Sequence, residues 1–117
     1  MVIVWTSPAV NDLENFKKFS KKTNIKDYLK NLVEYAYDLK QNPRLGKVYT
    51  YTQGTIIRQL IYKEHKIYYS IEEEKIHILT VIHSHQDTKQ RLIYIKNELS
   101  KKNIEGTEKI HSFYLFV

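Results

Sequence analysis

The chain has 117 residues, enough for one domain with a real hydrophobic core and too few for a two-lobed cleft. It contains no cysteine, which excludes disulfides, thiolate catalysis and Cys-ligated zinc or iron–sulfur centres and suits a cytoplasmic setting. Nineteen Lys and Arg against thirteen Asp and Glu give a formal net charge of +6, and the excess sits in residues 1–60, where ten basic side chains face five acidic ones.

That bias admits an anionic partner such as nucleic acid or an acidic protein segment; the plainer reading is a lysine-rich solvated surface. No stretch approaches the roughly 18 apolar residues of a membrane span, and the opening MVIVWTSPAVNDL has too short an apolar run for a signal peptide.

Residues 2–6, VIVWT, read as a short strand. Ser7-Pro8 follows as a helix start, with a hydroxyl able to cap free N–H groups and a proline where its missing N–H costs nothing. Val10, Leu13, Phe16 and Phe19 keep helical spacing, with Ser20 at the end of that series, and Lys17, Lys18, Lys21 and Lys22 crowd the last turns. After a break at Thr23-Asn24, a second helix runs from about Ile25 to Lys40, with Ile25, Leu29, Leu32, Val33, Ala36 and Leu39 along one face. The short joint predicts an antiparallel helical hairpin, ended before Asn42-Pro43.

Beyond Gly46 the period changes to two. KVYTYT, TIIRQLIY, HKIYYSI and KIHILTVIH, separated by Gln53-Gly54, Lys63-Glu64 and Glu72–Glu74, predict a four-stranded antiparallel meander. From Thr88 the spacing of Leu92, Ile95 and Leu99 is helical again, to about residue 102. The tail 103–117 ends in the aromatic and β-branched run KIHSFYLFV, which predicts an added edge strand or a docked extended segment. Residues 1–117 thus form a single α+β domain (core 1–87, helix 88–102, tail 103–117), with helices on one face of an antiparallel sheet and the other face partly open.

Strict alternation along KIHILTVIH turns Ile76, Ile78, Thr80 and Ile82 to the helices and leaves His77, Leu79, Val81, His83 and His85 on the open face. Arg58 shares a strand side with Ile56 and Leu60, so its guanidinium needs a partner: an acidic side chain, or a phosphate or carboxylate ligand. Of Tyr68 and Tyr69, one ring faces the helices and the other the open side, where it can stack on a partner. A face with imidazoles, tyrosines and cations can bind RNA, and metal-independent cleavage there would need a base for the 2′-hydroxyl, an acid for the leaving oxygen and a cation on the phosphate.

His85 or His83, Arg58 and Lys47 are the candidates for those roles. Arg44, His83, Tyr68, Tyr69 and Asp87 are candidates for a substrate or partner surface. The plainer alternative makes His83 and His85 polar residues that finish a strand. His83, His85 and Asp87 can align by alternation, yet they match no standard zinc spacing, so no metal site is expected. GxGxxG, P-loop, HExxH, CxxC and nucleophile-elbow patterns are all absent, and no cofactor is expected.

From Val4 to Asp87 the chain resembles the RelE/ParE superfamily, toxins of bacterial type II toxin–antitoxin systems. The resemblance is carried by WTSPAVNDLENF, NPRLGKVY, RQLIYKEHKIYYSI and KIHILTVIHSHQD in that order. It implies the RelE/ParE-like fold, growth inhibition, a role in plasmid stabilization and a cognate antitoxin that wraps the toxin in a hetero-oligomer. It also implies one of two targets: DNA gyrase for ParE-like members, or mRNA on the ribosome for RelE-like mRNA interferases, which are endoribonucleases. A non-toxic or decayed binding module is the reading from a different class. Arg58 matches an arginine of both branches, and His83 falls on the histidine of the ParE-like VxHxxRD pattern. His85 falls near a basic cleavage-site position of ribosome-dependent members. Gln86 stands where an arginine is usual, and Lys47 is the lone lysine of its strand, where nuclease members are richer.

Overall fold

The computed structural model describes residues 1–52, 54–100 and 106–107. In chain order it holds β1 (Val2–Thr6), α1 (Ser7–Phe19), α2 (Ile25–Tyr37) with a 3-10 turn at Asp38–Lys40, β2 (Lys47–Thr52), β3 (Thr55–Tyr62), β4 (His65–Glu72), β5 (Lys75–His83), α3 (Thr88–Ser100) and the two-residue β6 (Gly106–Thr107). The α+β architecture and the β2–β5 meander agree with the sequence expectation. Residues 101–105 and 108–117, most of the expected tail, lie outside the described residues.

The strands form one sheet in the order β2-β3-β4-β5-β1-β6. Periodicity could not show that β1 pairs parallel with β5, with Val2 opposite Lys75 and Trp5 opposite Ile78. Gly106–Thr107 adds a two-residue antiparallel edge to β1, while the run KIHSFYLFV expected to supply an edge strand lies outside the described residues.

The helical hairpin covers one face of the sheet. Leu13 of α1 and Leu29, Leu32, Val33 and Ala36 of α2 close over Trp5, Leu60, Ile67, Tyr69, Ile76, Ile78 and Val81. Phe19 departs from the predicted apolar stripe, since it is 71% exposed. The stripe drifts off the sheet by the last turn of α1, and Pro8, Ala9, Asp12 and Leu13 form its buried side. The N-cap of α1 is Thr6 rather than Ser7, and Thr6 spends its hydroxyl on the Ile78 carbonyl (2.8 Å) instead of capping the helix.

Unlike the hairpin, α3 packs on the opposite face, where Ile95 and Leu92 meet Ile57, Tyr68, Leu79 and Ile82. A register shift causes the second departure. Tyr68 pairs with Thr80 while Tyr69 pairs with Ile78, so β5 carries one extra residue there. A bulge breaks the alternation of its strand. Val81 consequently joins the hairpin core and Ile82 the α3 core, the reverse of strict alternation.

One buried carboxylate joins these layers. Asp12 of α1 accepts hydrogen bonds from the Thr80 hydroxyl (2.6 Å), the Val81 amide (2.9 Å) and the Arg91 guanidinium of α3 (2.5 Å). Burial pushes its carboxyl above the usual value, and those three donors pull it back. Truncating it would orphan two backbone or hydroxyl donors and a half-buried guanidinium. Asp12→Ala should therefore cost roughly 3 kcal/mol of stability, read from urea unfolding. A loss below about 0.5 kcal/mol, the scale of a surface substitution, would show that the clasp contributes little.

Candidate functional site

The stretch VIHSHQD proves to be a strand end folded into a turn and a helix cap. His83 is the last residue of β5 and pairs with His65 at the start of β4. Its amide donates to the Gln86 side-chain oxygen (2.7 Å), and the Gln86 amide returns a bond to the His83 carbonyl (2.9 Å). Asp87 is the cap: its Oδ1 accepts the Gln90 amide (3.2 Å) three residues into α3, the usual satisfaction of an otherwise free helix donor. Among the described residues no group of three or more His, Asp or Glu can hold a metal ion.

His83 does not stand on the open face. The bulge in β5 turns it toward the hairpin, where its ring lies edge-on to that of His65, 5.3 Å away. His65 is buried, with Nδ1 2.7 Å from the Tyr28 hydroxyl of α2 and its ring edge-on to Phe16 of α1. On the outer side, the exposed His85 ring stacks on His83 at 5.0 Å. The His85 amide donates to His83 Nδ1 (3.3 Å), which leaves the ring proton on Nε2, facing Glu64 at 3.9 Å. Three imidazoles thus run from core to solvent. Burial, with a smaller contribution from neighbouring His83, lowers the His65 pKa from 6.5 to about 4.

Arg58 has a partner, but not an acidic one. Its guanidinium donates to the Gly46 carbonyl (2.8 Å), while the buried Tyr69 hydroxyl donates to the Pro43 carbonyl (2.7 Å) and accepts the Gly46 amide (2.8 Å). Together they pin the bend between the hairpin and β2. A Cβ on Gly46 would lie 2.7 Å from the Tyr69 ring and 2.8 Å from the Gln59 carbonyl oxygen, so only glycine fits. Arg44 lies exposed on the same bend.

The three residues expected of a nuclease do not converge. Arg58 sits opposite Tyr69 and Lys47 opposite Gln59, so Arg58 starts on the hairpin face and Lys47 on the other. His83 lies in the row of Tyr62 and His65, four residues along from Arg58 and two strands across. That is roughly 13 Å along the strands and roughly 10 Å between them. His85 lies beyond it.

Neither tyrosine of the Tyr68-Tyr69 pair is open to stack on a partner. Tyr68 faces the second side as expected, yet α3 covers it, and its hydroxyl donates to Gln59 Oε1 (2.6 Å). What remains open on that face is a groove of about 990 Å³ between α3 and β2–β3, walled by Tyr49, Tyr51, Ile57, Leu79, Leu92 and Ile93.

Sequence reasoning missed His65 and the Asp12–Arg91 pair. Each carried a signal: His65 shares a strand side with Ile67 and Tyr69, and Asp12 sits beside Leu13 on the buried side of α1. Burial of neutral His65 has a pH consequence. Between pH 6.5 and about 4 the unfolded chain binds a proton that the folded protein refuses, so stability falls as pH falls through that window. The loss should reach up to about 3 kcal/mol, set by the difference between folded and unfolded pKa. Urea midpoints at pH 7 and pH 5 test this. The native protein should lose more on acidification than His65→Gln, and equal losses would remove His65 as the cause.

No helix among the described residues is long and apolar enough to cross a membrane. No curated protein matches the chain. A family model does, over residues 3–88, from β1 through the VIHSHQD turn to the first residue of α3: the ParE toxin of type II toxin-antitoxin system, parDE. With that match spanning most of the chain, the chain belongs to the ParE toxin family.

Proposed function

We propose that this protein is a growth inhibitor that acts on DNA gyrase and is held inactive by a cognate antitoxin. The observation that carries the choice of target is the separation of Arg58, Lys47 and His85. Metal-independent RNA cleavage needs an acid, a base and a cation around one phosphate, each within hydrogen-bond reach of its atom. Here Arg58 is committed to the Gly46 carbonyl and Lys47 leaves the opposite face of the sheet. On this reading Arg58 and Tyr69 shape the bend at Pro43–Gly46, with Arg44 as its exposed cation, and the imidazoles at the end of β5 brace the hairpin. The groove beside α3 is the seat for the antitoxin, since its apolar wall suits an amphipathic segment.

RelE-like cleavage of mRNA on the ribosome is the second reading, and exposed His85, stacked at the end of β5, is what favours it. Pulse-labelling of DNA and protein synthesis within minutes of inducing the toxin without an antitoxin separates the two. Gyrase inhibition predicts that DNA synthesis fails first and that His85→Ala stays toxic. If translation fails first and His85→Ala slows mRNA cleavage about 100-fold, the scale of general acid–base catalysis, the nuclease reading replaces ours. Unimpaired growth on induction would leave a non-toxic binding module.

A further inference from the structure

At one corner of the molecule, two parts of the chain bring lysines together beside a pair of imidazoles. Residues 17–30, around the joint of α1 and α2, hold six lysines against a single acid, Asp27. Lys22 in that joint sets its ammonium 4.8 Å from the Tyr28 ring, and Lys63 from the β3–β4 turn approaches the same ring at 6.0 Å. His85 stacks on His83 at the adjoining end of β5. The carboxylate among them, Glu64, is already engaged by Lys22 at 3.2 Å. Lys18, Lys21 and Lys63 are exposed.

Two features of this corner stand out from the packing of the core. Phe19 is 71% exposed, with the Lys18 ammonium 5.3 Å from its ring, so an aromatic side chain stands in water among lysines. Lys63 has φ +50°, a conformation that glycine adopts without steric strain and lysine does not. Glu73 and Glu74 in the β4–β5 turn share this conformation, so it belongs to the tight hairpin turns, and at the β3–β4 turn it presents the Lys63 ammonium to solvent.

We infer that this corner binds the phosphate backbone of duplex DNA, with Lys18, Lys21 and Lys63 on phosphates and Phe19 against the sugar edge. Flexible, exposed ammonium groups match a continuous line of charge, which the duplex supplies about every 1.7 Å along its axis. Single-stranded RNA is held on platforms of exposed rings. Here Tyr28 is buried and Tyr62 half-buried, which leaves Phe19 and the His85 imidazole as the well-exposed rings of this corner among the described residues. An acidic peptide would be recognised through pockets for its side chains, and the groove described above lies elsewhere, beside α3. The inference concerns the protein's own contact with DNA and stands apart from the choice of gyrase as target.

Fluorescence anisotropy of the full chain with a labelled duplex of about 25 base pairs tests it, with salt raised from about 50 to about 200 mM. Binding should weaken with salt at a log–log slope near −3, about 0.9 for each phosphate contacted. The exposed pair Lys18→Gln/Lys21→Gln should lower that slope by about 2 and weaken binding tenfold or more at low salt. Lys63→Gly should weaken binding without lowering the melting temperature, because glycine relieves the turn. Lys40→Gln/Lys75→Gln, exposed and away from this corner, should bind as the native protein does. Absent or salt-independent binding, an equal loss in the Lys40/Lys75 pair, or tighter binding to single-stranded RNA or polyglutamate would each overturn the proposal.

Discussion

Burying a carboxylate costs several kcal/mol unless its oxygens are fully supplied with donors, and Asp12 of α1 is supplied by the two other layers, the sheet and α3. Its own helix brings it to the sheet, Thr80 and Val81 of β5 meet it there, and Arg91 arrives from α3 on the far side. The two oxygens therefore fix the height of α1 on the sheet and the angle at which α3 leaves it. The bulge in β5 belongs to the same arrangement. The extra residue at Leu79–Thr80 brings the Thr80 hydroxyl and the Val81 amide to one point, which a regular strand with alternating sides does not do. Everything beyond the bulge follows from it, including the inward turn of His83 and the seating of Ile82 under α3.

The sequence was most readable where one period runs undisturbed. Leu29, Leu32, Val33, Ala36 and Leu39 line α2 as their spacing requires, and four runs of period two became four strands with bounds close to those expected. It was least readable where a single residue changes the period. A bulge leaves no mark in KIHILTVIH, whose residues are apolar on both sides, so strict alternation assigned Val81, Ile82 and His83 to the wrong faces. The parallel pairing of β1 was equally hidden, since VIVWT looks the same beside any neighbour. The placement of α3 depended on Arg91, a residue whose partner lies 79 positions away.

The candidate site shows the same division. That Arg58 would need a partner was legible from its apolar neighbours; that the partner is the carbonyl of Gly46 depends on a bend shaped by Tyr69 and a glycine with no room for a Cβ. Asp87 stood as a candidate for a substrate or partner surface, whereas its place one residue before α3 makes it a cap. Polar residues at the end of a strand carry little information until the next element is placed, because the turn and the helix compete for the same side chains.

The parallel pairing of β1 with β5 also has a consequence in time. Val2–Trp5 are made well before their strand partners Lys75–Ile78, which follow some 73 positions later. Synthesis proceeds at roughly 5–20 residues per second, so β1 waits several seconds before its neighbour exists. Until then Ile3 and Trp5, both buried in the finished protein, have no sheet to enter. The hairpin can form early from local contacts, but the core that it covers closes only after the meander has been made. Long-range pairing of this kind slows folding. A nascent chain halted before β5 would carry the hairpin helices without a finished fold, so the architecture delays the folded toxin until β5 has been made.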